Sequence, residues 1–79
     1  MILKLYGTEG CHLCDEAEVL IRSVISPEIE LKLIDIVDDD VLYERYQFTI
    51  PVLQIALTGA ELKWPFTKDG VREFLTSIR

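Results

Sequence analysis

The residues of this 79-residue chain best suited to chemistry are two cysteines, Cys11 and Cys14. Side chains three residues apart on a helix have Cβ atoms about 5 to 6 Å apart, so a small adjustment lets two such sulfurs form a disulfide. A glycine-containing turn precedes Cys11 and a helical pattern follows it, which places this residue at or just before the first helical turn. Unpaired amides there stabilise a thiolate, the form that attacks disulfides. We therefore predict Cys11 as the nucleophile, and Cys14, beside the apolar face, as the residue that resolves the mixed disulfide.

His12 lies between the two sulfurs and is a candidate for tuning their reactivity. A protonated imidazole would add to the helix dipole in stabilising a thiolate, whereas an exposed turn residue would not. Both interpretations fit the sequence equally well. Glu9, Asp15 and Glu16 crowd the same turn, and their negative charge would oppose this effect, each pKa unit being worth about 1.4 kcal/mol. We therefore expect the pKa of Cys11 to be moderately lowered.

Two other interpretations of the cysteine pair are less favoured. Free cysteines are often buried as small apolar residues, but a C-x-x-C motif beside a βαβ pattern is typical of redox sites. A structural zinc site needs about four ligands. Cys11, Cys14 and His12 supply three, and the sequence has no second C-x-x-C motif. We predict no metal in a single chain.

Composition narrows the function classes. Lysine and arginine number 8 against 14 aspartates and glutamates, so the net charge is −6 and nucleic acid is not an expected partner. The apolar runs are far shorter than the ~20 residues that span a bilayer, and we expect no signal peptide in the first residues. Two cysteines are too few for a secreted disulfide scaffold. We expect one domain over residues 1–79, cytoplasmic and away from membranes.

The first half of the chain predicts a strand, a helix and a second strand around the cysteines. Residues 2–6 are mostly apolar and run into a turn, as in a buried strand. A helix should follow and stop at Ser26-Pro27. Residues 31–37 then predict a largely buried strand. Five apolar residues recur at helical spacing and are predicted to form the core face of this helix: Leu13, Ala17, Leu20, Ile21 and Val24.

The second half predicts a short helix, a hairpin and a closing helix. Capping aspartates at 38–40 should start a helix over 41–46. Strands over 52–57 and 61–64 should pair antiparallel through a turn that contains Gly59. Trp64 and Phe66 are predicted to be buried in the core. The closing helix follows a cap at Thr67 and carries an apolar stripe of Val71, Phe74, Leu75 and Ile78.

The chain resembles the glutaredoxin-like branch of the thioredoxin-fold superfamily over essentially its whole length. The resemblance rests on Leu5-Tyr6-Gly7-Thr8 running into the cysteine motif, on Thr49-Ile50-Pro51 before a strand, and on the element order. It implies an α/β, thioredoxin-like βαβαββα fold whose mixed sheet of four strands runs in the order 2-1-3-4 between helices. It also implies that Thr49, Ile50 and Pro51 bind substrate, with a cis Ile50-Pro51 peptide and free backbone groups on Ile50. About 5 to 6% of X-Pro bonds are cis, so the residues alone favour trans.

Two departures from that family concern glutathione. Glutaredoxins hold its carboxylates with a basic residue before the first cysteine and with a Gly-Gly segment followed by an aspartate after the last strand. This chain has Glu9 near the first position and residues 64–70, which lack that Gly-Gly pair, at the second. Glu9 would repel a glutathione carboxylate, whereas Lys68 or the amides after Thr67 would compensate in part. Glutathione therefore stays open as a reductant, and no tightly bound cofactor is expected.

The sequence predicts a thiol-disulfide oxidoreductase that acts as a monomer on a protein or small-molecule disulfide. Its electrons would come from glutathione or a thioredoxin-type reductase. Two alternatives belong to other classes. One is a metal or iron-sulfur carrier in which paired subunits supply the cysteines. The other is a non-catalytic interaction domain that binds a partner at the Ile50 edge or at Trp64 and Phe66.

Overall fold

A computed structural model describes residues 1–77 of the chain and shows four strands and three α-helices. The strands are β1 (Ile2–Gly7), β2 (Glu30–Asp35), β3 (Val52–Ile55) and β4 (Glu61–Lys63). The helices are α1 (His12–Arg22), α2 (Asp40–Tyr46) and α3 (Lys68–Thr76), with a 3-10 turn at Ile36–Asp38. Within these residues, no helix combines the length and apolar character needed to cross a membrane.

The strands form one mixed sheet in the order β2-β1-β3-β4. β1 pairs with β2 in parallel and with β3 antiparallel, and β3 pairs antiparallel with β4. The connection through α1 makes the parallel pair, since parallel neighbours need a crossover of this kind. The predicted thioredoxin-like fold and strand order are confirmed.

Each face of the sheet carries its own core. On one face α1 and α3 cover Leu3 and Leu5 of β1 and Leu53 and Ile55 of β3. On the other face the 3-10 turn and α2 contribute Ile36 and Tyr46, which pack with Tyr6 and Val52. Alternate residues of a strand point to opposite faces, so β1 and β3 supply both cores. The expected placement of helices on both faces is confirmed.

Capping residues fix where two helices begin. Asp39 accepts hydrogen bonds from the backbone of Val41 (2.9 Å) and Leu42 (3.2 Å) at the start of α2. Thr67 accepts from the Gly70 amide (3.0 Å) at the start of α3. Both caps were predicted, since such side chains satisfy amides that have no partner within the helix.

The apolar stripe of α1 differs from the prediction. Leu13 is 45% exposed, whereas Cys14, Ala17 and Ile21 are buried. Cys14, Ala17 and Ile21 follow one another at steps of three and four residues, so Cys14 rather than Leu13 lies on the buried face of the helix. The helix also ends at Arg22 instead of Ser26-Pro27, because Ser23 closes its last turn by donating its hydroxyl to the Leu20 carbonyl at 2.6 Å.

The second strand was wrongly predicted as largely buried. β2 is an edge strand, and Leu33 on it is 55% exposed because only one neighbouring strand flanks it. It ends at Asp35, whose side chain accepts from the Val37 amide at 3.0 Å and starts the 3-10 turn. Ile36 and Val37 therefore leave the sheet.

The hairpin and the segment after it differ in detail from expectation. β3 ends at Ile55, and Leu57 beyond it is 94% exposed. Gly59 has a φ of +78°, which glycine adopts without strain. Phe66 is buried as predicted, whereas Trp64 is only half-buried and meets the Phe66 ring edge-on at 4.9 Å. The stripe of α3 is described through Leu75, and Ile78 lies outside the described residues.

Candidate active site

The structure joins Cys11 and Cys14 in a disulfide at the start of α1, with 5.2 Å between their Cα atoms. Cys11 is the N-cap of the helix, in an extended conformation, and its sulfur accepts a hydrogen bond from the Cys14 amide at 3.2 Å. This is the position predicted for the nucleophile, since the amide that meets the sulfur would also stabilise its thiolate.

The two cysteines differ in exposure. Cys14 is 8% exposed and belongs to the buried side of α1, whereas Cys11 is half-exposed. A partner sulfur therefore has better access to Cys11, as the sequence predicts.

Gly7, the last residue of β1, packs directly against the inner cysteine. A Cβ atom at this glycine would lie 2.9 Å from the Cys14 sulfur and 3.1 Å from its Cβ. Real Cβ atoms almost never approach a neighbour so closely. Glycine therefore leaves room for the disulfide against the sheet.

His12 lies on the solvent side of the motif. Its side chain is 88% exposed, and its Nε2 lies 3.6 Å from Oε2 of Glu16. This carboxylate was predicted to crowd the same turn. The described hydrogen bonds of the two sulfurs do not include His12, and its tuning role stays a prediction.

Pro51 lies across the sheet from Gly7, the residue that packs against Cys14. The Ile50-Pro51 peptide is cis, as the resemblance implies, and Pro51 is buried. Tyr6 is opposite Val52 in the antiparallel pairing, so one further step along the register sets Pro51 opposite Gly7. Since Gly7 touches Cys14, the proline lies one strand spacing from the glycine beneath the disulfide. A second cis bond, Trp64-Pro65, was not predicted.

One of the two backbone hydrogen-bonding groups of Ile50, its N–H, already has a partner within the protein. This corrects the expectation that both its N–H and its carbonyl are free. Its N–H donates to the Tyr46 carbonyl at 3.2 Å, and the Thr49 N–H donates to the same oxygen at 2.9 Å. These two hydrogen bonds fold the loop after α2 back onto the last residue of that helix. Within residues 1–77 the Ile50 carbonyl accepts no hydrogen bond.

A polar network that the sequence does not predict holds Tyr46 in place. The Tyr46 hydroxyl donates to Glu61, which also accepts from the Gln54 amide at 3.2 Å. Gln54 in turn accepts from the Tyr6 hydroxyl at 2.7 Å, and the Tyr6 and Tyr46 rings stack with centroids 4.5 Å apart. Arg45 lies over the Tyr46 ring at 5.4 Å. These contacts connect β1, β3 and β4 to the residue whose carbonyl anchors the Ile50 loop.

Burial and the hydrogen bond to Glu61 raise the pKa of Tyr46 to about 12, from an ordinary value of 10.0. Burial also raises the pKa of Tyr6, with the Glu61 charge as the next cause. A tyrosine that holds its proton more tightly when folded stabilises the protein below its unfolded pKa, and this stability is lost as pH rises through the folded pKa.

We expect Tyr46→Phe to lower the free energy of unfolding by about 1 to 2 kcal/mol near neutral pH, because Glu61 loses a donor. The wild type should also lose more stability than the variant between pH 10 and about 12, where unfolded but not folded Tyr46 ionises. Urea unfolding across this range, with tyrosinate absorbance, measures both effects. Tyr43→Phe is the matched control, since Tyr43 lies on the same helix and is 46% exposed. Identical alkaline profiles for wild type and Tyr46→Phe would contradict the prediction.

Metal ligands do not gather at this site in the part of the chain that the structure describes. No group of three or more histidine, cysteine, aspartate or glutamate side chains there could hold an ion.

The chain is similar to a known protein family and to several solved structures. Residues 2–76 match the family described as Glutaredoxin-like domain (DUF836). No curated protein matched the chain. The X-ray structure of protein XcR50 from X. campestris is 32% identical, with a TM-score of 0.86 over 98% of this chain and 99% of that one.

Two further structures extend the comparison. The solution structure of protein Ne2328 from Nitrosomonas europaea is 31% identical, with a TM-score of 0.75 over 91% of this chain and 87% of that one. Thioredoxin 1 from Thermosipho africanus TCF52B is 15% identical, with a TM-score of 0.66 over 98% of this chain and 97% of that one. At that identity the likeness shows the shared fold alone.

Proposed function

The chain belongs to the glutaredoxin-like domain family, and from that membership we propose that it is a thiol-disulfide oxidoreductase that uses Cys11 and Cys14. The observation that carries the proposal is the disulfide at the start of α1, with a half-exposed outer sulfur and a buried inner one. Such a pair can be reduced and formed again without rearranging the fold, because both cysteines belong to one helical turn.

The proposed reaction starts from the dithiol form. The Cys11 thiolate attacks one sulfur of a substrate disulfide, which breaks the substrate S–S bond and releases one substrate thiolate. The Cys14 thiol then loses its proton and attacks the Cys11 sulfur of the mixed disulfide. The second substrate thiolate leaves, and both substrate thiolates take up protons. Two electrons have passed from the two cysteines to the substrate, and the protein is left with the Cys11–Cys14 disulfide. The substrate is reduced and the protein is oxidised.

Each residue has a proposed role that its surroundings support. The Cys14 amide, which meets the Cys11 sulfur at 3.2 Å, would stabilise the attacking thiolate. Thr49, Ile50 and Pro51 would form the substrate edge, with the Ile50 carbonyl as acceptor for a partner backbone. His12, exposed beside Glu16, would tune the pair through its charge when protonated.

The proposal also covers the electron donor, the oligomeric state and the location of the protein. Electrons would return from glutathione or a thioredoxin-type reductase, and the protein would act as a monomer in the cytoplasm, without a tightly bound cofactor. Glu9 lies two residues before Cys11 and would oppose a glutathione carboxylate.

Equilibration with glutathione and dithiothreitol redox buffers, followed by alkylation and mass spectrometry, tests the proposal. We expect one two-electron transition in which Cys11 and Cys14 change together, at a potential between about −270 and −120 mV. A glutathione adduct at Cys11 in the mixed buffers would identify glutathione as a reacting partner. A protein that keeps two alkylatable thiols even under oxidising buffers would rule out the proposed chemistry.

A further inference from the structure

A groove of about 250 Å³ lies beside the disulfide, between the carboxyl ends of β1 and β2 and the start of α1. Cys14 and Gly7 line it where it reaches the redox site. The volume is below the ~300 to 1,000 Å³ that pockets for drug-sized ligands occupy, so it suits one long side chain.

The floor of the groove is apolar. Leu5 and Leu33, neighbours in the β1–β2 pairing, line it together with Ile34. Leu5 is buried, whereas Leu33 on the edge strand β2 is 55% exposed and supplies the accessible part of the floor. An aliphatic chain laid over these residues would remove apolar surface from water on both partners, which is favourable.

The rim of the groove is acidic. Glu9, Asp15, Glu18 and Asp35 line it, and the residues that line it within the described chain include no lysine or arginine. Glu18 is paired with Arg22 at 2.9 Å. The other described ion pairs involve different acids, so Glu9, Asp15 and Asp35 carry the charge that faces the groove.

We propose that this groove binds a lysine or arginine side chain of a protein disulfide substrate while the substrate cysteine reacts at Cys11. The inference rests on the proposed function and adds the substrate class: a disulfide flanked by basic residues. Lysine and arginine bury their methylene stems on apolar surface and keep the charged head at its edge, which matches an apolar floor under a carboxylate rim. The same rim repels anionic thiols.

Single-turnover reaction with paired peptide disulfides tests this inference. The peptides are identical except for lysine, arginine, glutamine or glutamate two residues from the cysteine, and the rate of oxidation of the reduced protein is followed by acid quench and alkylation. An exposed ion pair contributes only a few-fold, so three carboxylates should favour the basic peptides over the glutamine peptide by about tenfold at low salt. This preference should shrink as ionic strength rises.

Variants separate the groove from the overall charge. Glu9→Gln combined with Asp35→Asn leaves Asp15 as the one acid of the rim without an ion pair among the described residues, and should cut the preference for basic peptides to about two- or threefold. Asparagine keeps an oxygen for the Val37 amide that Asp35 now caps. Glu44→Gln combined with Glu73→Gln removes the same charge from exposed positions on α2 and α3, outside the groove, and should keep the preference.

The uncharged compound 2-hydroxyethyl disulfide separates this inference from the proposed function. Any change that Glu9→Gln makes to the reactivity of Cys11 should alter the rate with this compound and the rates with all the peptides by the same factor. The preference is therefore the ratio of each peptide rate to this rate. Equal rates for lysine and glutamine peptides, or equal loss of preference in both double variants, would overturn the groove assignment while leaving the oxidoreductase proposal intact. Failure to react with the neutral disulfide as well would overturn both.

Discussion

Cys11→Ser should lower the rate of disulfide reduction by roughly a thousandfold, because it removes the nucleophile that starts the reaction. Cys14→Ser should still attack at Cys11 but stop at the mixed disulfide, since the resolving thiol is missing. The rate with 2-hydroxyethyl disulfide measures the first effect. Mass spectrometry of the quenched Cys14→Ser protein should show one covalently attached substrate half.

The two variants act as controls for each other, since both remove one sulfur and the disulfide. A stability change common to both is the effect of losing the cross-link, whereas only the attack step should distinguish them. If Cys11→Ser retained wild-type reductase activity, the assignment of nucleophile and resolving residue would be wrong. If the wild type had no activity while keeping its fold, the interaction-domain alternative would gain support.

Gly7→Ala should lower the free energy of unfolding of the oxidised protein by about 1 to 3 kcal/mol, the range for overpacking a filled site. The new methyl would lie 2.9 Å from the Cys14 sulfur, which the disulfide to Cys11 holds in place. The helix start must therefore shift away from β1. Urea unfolding of oxidised protein measures the loss, and the redox equilibrium with glutathione buffers should change with it.

Gly70→Ala is the matched control for that substitution. Its new methyl would lie 3.2 Å from the hydroxyl of exposed Thr67, which caps the Gly70 amide and need shift only a few tenths of an ångström to make room. Because Gly70 lies within α3, alanine should also gain up to ~1 kcal/mol of helix propensity. Unfolding free energies that agree between wild type and Gly7→Ala would show that the contact with Cys14 relaxes without cost.

The features that the sequence predicts correctly depend on residues close together in the chain. The order of the elements, the caps at Asp39 and Thr67, and the unequal exposure of the cysteines all follow from spacing and residue type. Burial of β2 did not follow, because an apolar run does not reveal whether a strand is central or at an edge. Leu33 is exposed for that reason.

Contacts between distant residues explain most of the rest. Tyr6 and Gln54 are 48 residues apart, and Tyr46 and Glu61 are 15 apart, so no local pattern indicates that they share a network. Gly7 looked like part of a turn, and only its approach to Cys14 shows why a side chain does not fit there. The cis Ile50-Pro51 bond came from the family resemblance, since the residues alone favour trans.

If a substrate chain pairs with this loop as proposed, the hydrogen bond from the Ile50 amide to the Tyr46 carbonyl limits which groups that chain can offer. With its own N–H already engaged, the loop can only accept, so an approaching chain must supply the hydrogen. Any ordinary residue can do so whatever its side chain, whereas proline or an N-methylated residue cannot. A partner cysteine segment with proline facing Ile50 would thus be excluded by its backbone, independently of its charge.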